Sequence, residues 1–358
     1  MSAADLTHAS RQQHIDGLRG LAILMVLVFH YYSRWSHLYP YGATYENSFL
    51  PKNGYMGVQL FFMISGYVIF LTLERCAGFK EFMVRRWTRL FPAMVVATVL
   101  VYATTGLFVH RPGGQPQPID VLPGLLFLQP ELLSAIFGTK VAAIEGAFWS
   151  LYVEVKFYLL AGLLYFLAGR QNSIRALFGL AAAYFVCSMV KAQPNALGQT
   201  AQQLIDFAEL VLFGKHLPWF VIGILVFRIR NHADEIGREE WAMLALSVVF
   251  ALRHYRKDSF LMALIVVAVF LLSHRAEVQR VLRTRLLMFL GFVSYPLYLV
   301  HENAGVSMIV DLTPLLSPLP MALVPLVPML VLSGVAYVLA KYLEPGVKHA
   351  IRHVFRIE

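Results

Sequence analysis

"HIDGLRGLAILMVLVFHYY", residues 14–32, is apolar enough to enter a membrane, yet it carries Asp16 and Arg19 at one end and His30 at the other. From Arg19 to His30 the helix turns by eleven steps of about 100°, within about 20° of three full turns, so both side chains fall on one face. At about 1.5 Å per residue they lie roughly 16 Å apart along the axis, half the thickness of a bilayer's hydrocarbon core. One face of one helix therefore holds a cation near a membrane surface and an imidazole near the midplane or beyond.

The rest of the chain has the same character. Of its 358 residues 58% are hydrophobic and 14% charged, with a mean hydropathy of +0.62, whereas a soluble domain carries about 25% charged residues. This is the composition of an all-α integral membrane protein. Tyr31, Tyr32, Arg34 and Trp35 follow the first apolar segment where a secretory leader would have small residues, so the segment reads as an uncleaved span. The formal charge of +9 is better explained by basic cytoplasmic loops than by nucleic-acid binding. Cys76 and Cys187 lie far apart in sequence, without metal-ligand spacing and without a disulfide framework.

Apolar runs predict about ten spans, at roughly 15–33, 54–73, 90–109, 148–168, 173–190, 209–228, 240–252, 259–273, 286–302 and 320–341. Connections on the side of both termini then hold 19 Lys and Arg against 8 on the other, which puts both termini in the cytoplasm. The stretch "DVLPGLLFLQPELLSAIFG", 120–138, is ambiguous. Counting it as a span changes the tally to 11 against 16 and removes the segregation, so it reads as an outer-face interfacial or re-entrant piece; Pro123, Pro130 and Glu131 agree. The expected organisation is a short tail (1–14), one membrane domain (15–345) and a second tail (346–358), with no internal repeat.

An ionisable group inside a span costs about 2.5–3.5 kcal/mol on insertion scales and should face a cavity or a partner. His30 satisfies this either as a chemical group or as a structural histidine bonded to a backbone carbonyl. In "FMVRRWTRLFP", 82–92, a helix groups Arg85, Arg86 and Arg89 by their three- and four-residue spacing. Such guanidinium forks suit phosphate oxygens; they equally suit topology and lipid headgroups. In "FWSLYVEVKFYLL", 148–160, Ser150, Glu154 and Tyr158 form a polar stripe, with Lys156 on another face. Glu154 can be read as a proton acceptor, a partner for a buried arginine or a hydrogen-bond anchor. "VSYPLYLVHE", 293–302, sets Ser294, Tyr298 and His301 near an outer boundary, where aromatics also form an interfacial belt. Ser65-Gly66 in "FFMISGYVIF", 61–70, is a small-residue notch for close helix approach.

Taken in order, "IDGLRGLAILMVLVFH", "FFMISGYVIF", "FMVRRWTRLFP", "FWSLYVEVKFYL" and "SYPLYLVH" resemble the successive motifs of the acyltransferase 3 family, membrane O-acetyltransferases that modify bacterial cell-surface sugars. The resemblance runs from about residue 14 to 345. Arg19 and His30 match the family's basic residue, ten intervening residues and histidine. Arg86 and Arg89 match its Arg-x-x-Arg; Trp149, Ser150, Leu151 and Glu154 match its Trp-Ser-Leu-x-x-Glu. "LPWFVIGILVF", 217–227, preceded by Lys215 and His216, is a weaker match. The chain is similar to the stand-alone form of the family, without the SGNH-type hydrolase-like domain of many relatives.

The resemblance implies an acyl-CoA donor, acetyl-CoA first, and a sugar hydroxyl of a glycan or a lipid-linked precursor as acceptor, at a bacterial inner membrane. No metal is implied, and no partner beyond donor, acceptor and membrane lipids. The layout then expected places CoA phosphates at Arg86 and Arg89, with Arg19 helping. His30 is the general base or, alternatively, an acylated nucleophile, and Glu154 and Arg19 complete the catalytic group. Trp149, Ser150, Tyr298 and His301 are the expected acceptor-side residues. A proton-coupled transporter relaying through His30, Glu154 and His301 is the competing class. It lacks the inverted repeat common in transporters. An acyltransferase acting on a small glycoside keeps the chemistry and changes the acceptor.

Overall fold

The computed structural model describes residues 3–192, 198–316, 319–347 and 349. Among these there are helices and turns and no strand. In chain order the principal helices are α1 (Ala3–Phe29), α2 (Met56–Leu73), α3 (Phe79–Ala103), α4 (Trp149–Lys191), α5 (Gln199–Leu212), α6 (Leu217–Asn231), α7 (Arg238–Leu252), α8 (Asp258–Leu272), α9 (Arg285–Val300), α10 (Glu302–Leu312) and α11 (Leu326–Val338). Helix α1 runs on into a five-residue π turn, His30–Arg34.

Length and apolarity together single out four membrane-crossing stretches among the described residues: Gln13–Arg34, Met56–Leu73, Gly146–Lys191 and Met321–Val347. Asp258–Leu272 with Ala276–Leu282, bent by 106°, is a fifth if counted as one span. Ten were expected; the other expected stretches form shorter or broken helices. Helices α7 and α8 have 15 residues each, about 22 Å at 1.5 Å per residue, short of the roughly 30 Å hydrocarbon core. The expected span 209–228 is interrupted: α5 ends at Leu212, Phe213 turns left-handed (φ 44°), and α6 starts at Leu217. Two expected spans, 148–168 and 173–190, form the two arms of α4. They meet at Gly169, whose φ of 79° no helix tolerates. The ambiguous outer stretch forms short helices at Pro118–Val121, Leu122–Leu126 and Pro130–Phe137, none long enough to cross.

The chain divides into two compact units. The first comprises Met1–Val58, Trp87–Tyr152 and Ser273–Glu358. Within it α1 lies along α9, with Leu18, Ala22, Ile23 and Val26 fully buried. Lipid tails are as apolar as leucine, so membrane helices are held by close packing and hydrogen bonds rather than by escape from water. The packing here depends on backbone contact. A methyl group on Gly20 would come 1.9 Å from the Leu287 carbonyl oxygen, and one on Gly291 would come 2.0 Å from that of Asp16.

The second unit comprises Gln59–Arg86 and Val153–Leu272. Here α2 crosses α6 through a reciprocal pair. A Cβ on Gly66 would sit 2.1 Å from the Phe220 oxygen, and one on Gly223 would sit 2.0 Å from that of Met63. The Ser65-Gly66 notch is thus a helix-crossing point, with Phe157 stacked on Phe220 beside it at 4.1 Å between centroids. Just past the Gly169 break, Arg170 pairs with Glu74 (3.3 Å) and Glu235 (2.5 Å), and Arg228 joins Glu235 at 2.9 Å.

Candidate functional site

The first unit gathers two histidines from distant parts of the sequence. His30 stands where α1 widens into its π turn, a distortion that often accompanies functional positions. The widened turn is held by two tyrosines that follow it. Tyr39 donates to the His30 carbonyl (3.0 Å) and Tyr41 to that of Tyr31 (2.8 Å). Burial pushes both phenols well above their usual range, so they keep the hydrogens these bonds need. Tyr31 in turn donates to the His301 carbonyl at 2.7 Å, tying the turn to the C-terminal end of α9.

The surrounding acceptors assign the tautomers. A carbonyl oxygen only accepts, so His30 Nδ1 carries a hydrogen toward Val26 O (2.9 Å), and His301 Nδ1 carries one toward Tyr298 O (2.9 Å). His301 Nε2 then accepts, at 3.3 Å from His30 Nδ1, with the rings edge to face at 4.7 Å. In the neutral ring His30 Nε2 keeps its lone pair, and 3.5 Å away is Glu302 Oε1. A lone pair opposite a carboxylate is a pairing that lacks one proton. A hydroxyl donating to Nε2 supplies it.

Glu302 also accepts from Trp35 Nε1 at 3.3 Å, while its second oxygen has no hydrogen-bond partner among the described residues. Beside it lies buried Glu145, which accepts from the Asn303 backbone amide at 3.2 Å. Burial first, and the Glu302 carboxylate second, push the Glu145 carboxyl up to about 8. Burial lowers the neighbouring Arg111 guanidinium, and Glu145 opposes that shift. Sequence reading missed Glu302, Glu145, Arg111 and Trp35. Only Glu302 carried a signal, as the residue after His301 in "YLVHE".

The expected acceptor-side residues separate into two kinds. Tyr298 donates to Ala147 O (2.9 Å) and lies 2.8 Å from the Ser150 hydroxyl, with both residues buried. These two brace the start of α4 against α9. Trp149 is 41% exposed. His301 is fully buried against His30. Arg19 lies about three turns back along α1 and pairs with Asp16 at 2.9 Å.

Glu154 belongs to the second unit, where it accepts from Ser65 (2.7 Å) and Tyr158 (2.5 Å). The Tyr158 ring lies under the Arg86 guanidinium at 6.0 Å, and Arg86 donates to the Thr72 hydroxyl. The carboxylate beside His30 is therefore Glu302, and Glu154 anchors a Ser65–Tyr158–Arg86 chain. The expected single-sided arginine cluster is split. Arg85, paired with Glu81 at 2.6 Å, and Arg89 are exposed, whereas Arg86 is buried. Lys215 is exposed, and the His216 ring packs on Phe62 at 5.3 Å.

The chain is 29% identical over 158 residues to an O-acetyl transferase of Shigella phage Sf6, covering 41% of this chain and 44% of that protein. It is 28% identical over 214 residues to BcsY of Komagataeibacter xylinus, named as a candidate membrane-bound transacylase, covering 57% and 51%. It is 27% identical over 152 residues to the peptidoglycan O-acetyltransferase OatA of Listeria monocytogenes, covering 40% and 19%. The matched stretches span about half or less of these relatives' lengths. No solved structure matches the chain. A family model described as an acyltransferase domain matches residues 13–341, nearly the whole chain. The chain belongs to the acyltransferase 3 family.

Proposed function

We propose that this membrane protein transfers an acyl group, acetyl in the first instance, from acyl-CoA to a hydroxyl of a cell-surface glycan or its lipid-linked precursor. The observation that carries the reading is the free lone pair of His30 Nε2, left open by two carbonyl-fixed tautomers and facing Glu302 at 3.5 Å. His30 removes the acceptor's proton as its oxygen attacks the thioester, a role worth about 10²–10⁴ in rate. The names of the phage and Listeria relatives support an O-acetyl product.

On the donor side, exposed Arg89 and ion-paired Arg19 meet CoA phosphates. Arg86, on the same helix as Arg89, stiffens that helix through Thr72 and Tyr158. The charge tally, made with ten passages, supports cytoplasmic termini and basic cytoplasmic loops in a bacterial inner membrane. Glu154 acts through its Ser65 and Tyr158 bonds.

Mass spectrometry of surface glycans tests the proposal. Cells carrying His30→Ala at natural abundance should lack about one acetyl unit per modified residue. Unchanged acetylation ends it, and label from a solute that crosses a vesicle instead of remaining on glycan supports a transporter.

A further inference from the structure

Two dipeptides cross beside His30. Glu145-Gly146 precedes α4, and Glu302-Asn303 opens α10. The Glu145 carboxyl accepts from the Asn303 amide (3.2 Å), while Asn303 Nδ2 and Arg111 both donate to the Ile144 carbonyl at 2.9 and 2.8 Å. Glu145 is 1% exposed and Glu302 5%. One oxygen of each carboxyl has no hydrogen-bond partner among the described residues. The groups facing Glu145 are Glu302 from α10, Arg111 from the loop after α3, Tyr31 from the π turn, and the His30–His301 pair beyond Glu302. Arg111 is a single cation, and part of its donor capacity goes to a carbonyl. Two ionised carboxylates in so dry a place repel strongly, and one cation beside one of them does not offset both.

We propose that Glu145 is a positioning residue that keeps its proton, so that the single negative charge of the carboxyl pair rests on Glu302 against His30 Nε2. This rests on the reading of His30 as the base. During transfer the acceptor's O–H bond breaks as its oxygen bonds the thioester carbon, and the hydrogen passes to Nε2. The Glu302 carboxylate stabilises the resulting imidazolium. The C–S bond then breaks, and the departing thiolate takes the proton back from Nε2, leaving both carboxyls as they began. Ionisation of Glu145 adds a second negative charge, which holds the proton on His30 and stops it acting as a base. Gly146 completes the device, because a Cβ there would lie 2.8 Å from Glu302 Oε2, the mobile end of a side chain.

The test uses membrane vesicles bearing the full chain, equilibrated at each pH and given radiolabelled acetyl-CoA, with label counted on the endogenous glycan. The natural chain should lose rate on the alkaline side through about pH 8. Glu145→Gln preserves the acceptor oxygen for Asn303 and should lose that limb. Gly146→Ala should lower kcat about 10-fold or more with KM for acetyl-CoA unchanged, since Glu302 must move. A Glu145→Gln profile that superimposes on the natural one, or a Gly146→Ala chain with natural kcat, overturns the inference. His30→Ala separates the two claims. If that variant still transfers label, the general-base reading fails; if it is inactive while the Glu145→Gln limb persists, only the present inference fails.

Discussion

His30 Nε2 stands 3.5 Å from Glu302 Oε1, although the two are 272 positions apart in sequence. The contact joins the end of α1 to the start of α10, and Tyr31 reinforces it by donating to the carbonyl of His301. The imidazole is thus held at Nδ1, with Nε2 left to take a proton.

Glu302→Gln keeps the acceptor for Trp35 but removes the charge opposite His30. Transfer should fall about 10-fold or more in kcat with KM for acetyl-CoA little changed, because the lost interaction strengthens only as the imidazolium forms. Initial rates at limiting and saturating donor check this.

The stability of the folded chain should depend on pH through Glu145. Its carboxyl is raised from the ordinary 4.5 to about 8, so the folded state holds a proton that the unfolded state has released. The favourable contribution is complete below about pH 4.5 and is lost as pH rises toward and through 8. Thermal unfolding in detergent between these limits should show a falling Tm, and Glu145→Gln should flatten the slope.

Arg86 and Arg89 should behave differently. Arg86→Ala strips a buried hydrogen bond from Thr72 and the contact with Tyr158, which should cost about 1–3 kcal/mol of stability. Arg89→Ala, at an exposed position, should leave the melting temperature alone and weaken acetyl-CoA binding. Parallel melting and binding measurements in detergent separate the two outcomes.

The α2–α6 crossing predicts a purely structural defect. Gly223→Ala forces a methyl to 2.0 Å from the Met63 carbonyl oxygen, and backbone cannot yield as a side chain can. Loss of about 1–3 kcal/mol follows, visible as reduced yield of folded protein, with normal donor KM in the fraction that survives.

The opening stretch alone made the membrane class and His30 legible, because hydropathy and 100° steps are local properties. The surroundings of His30 were only half legible: Val26 O lies one turn back on the same helix, whereas Glu302, at the start of α10, meets the ring only through tertiary packing. Helical spacing placed Arg86 beside Arg89 but could not tell which way the helix would turn; Thr72 and Tyr158 draw Arg86 inward. Glu145 and Arg111 lie in irregular connections, where no periodicity marks a buried residue. The helix breaks were hidden for a related reason. Apolar runs of similar composition are broken into two helices at Gly169 and at Phe213, where φ is positive, and hydropathy does not report backbone conformation.

The most direct test of the account compares label from radiolabelled acetyl-CoA on endogenous glycan between vesicles carrying the natural chain and vesicles with equal amounts of folded His30→Gln. The account predicts that transfer in the variant falls by about 10²-fold or more at every pH. Transfer at the natural rate in that variant would contradict it.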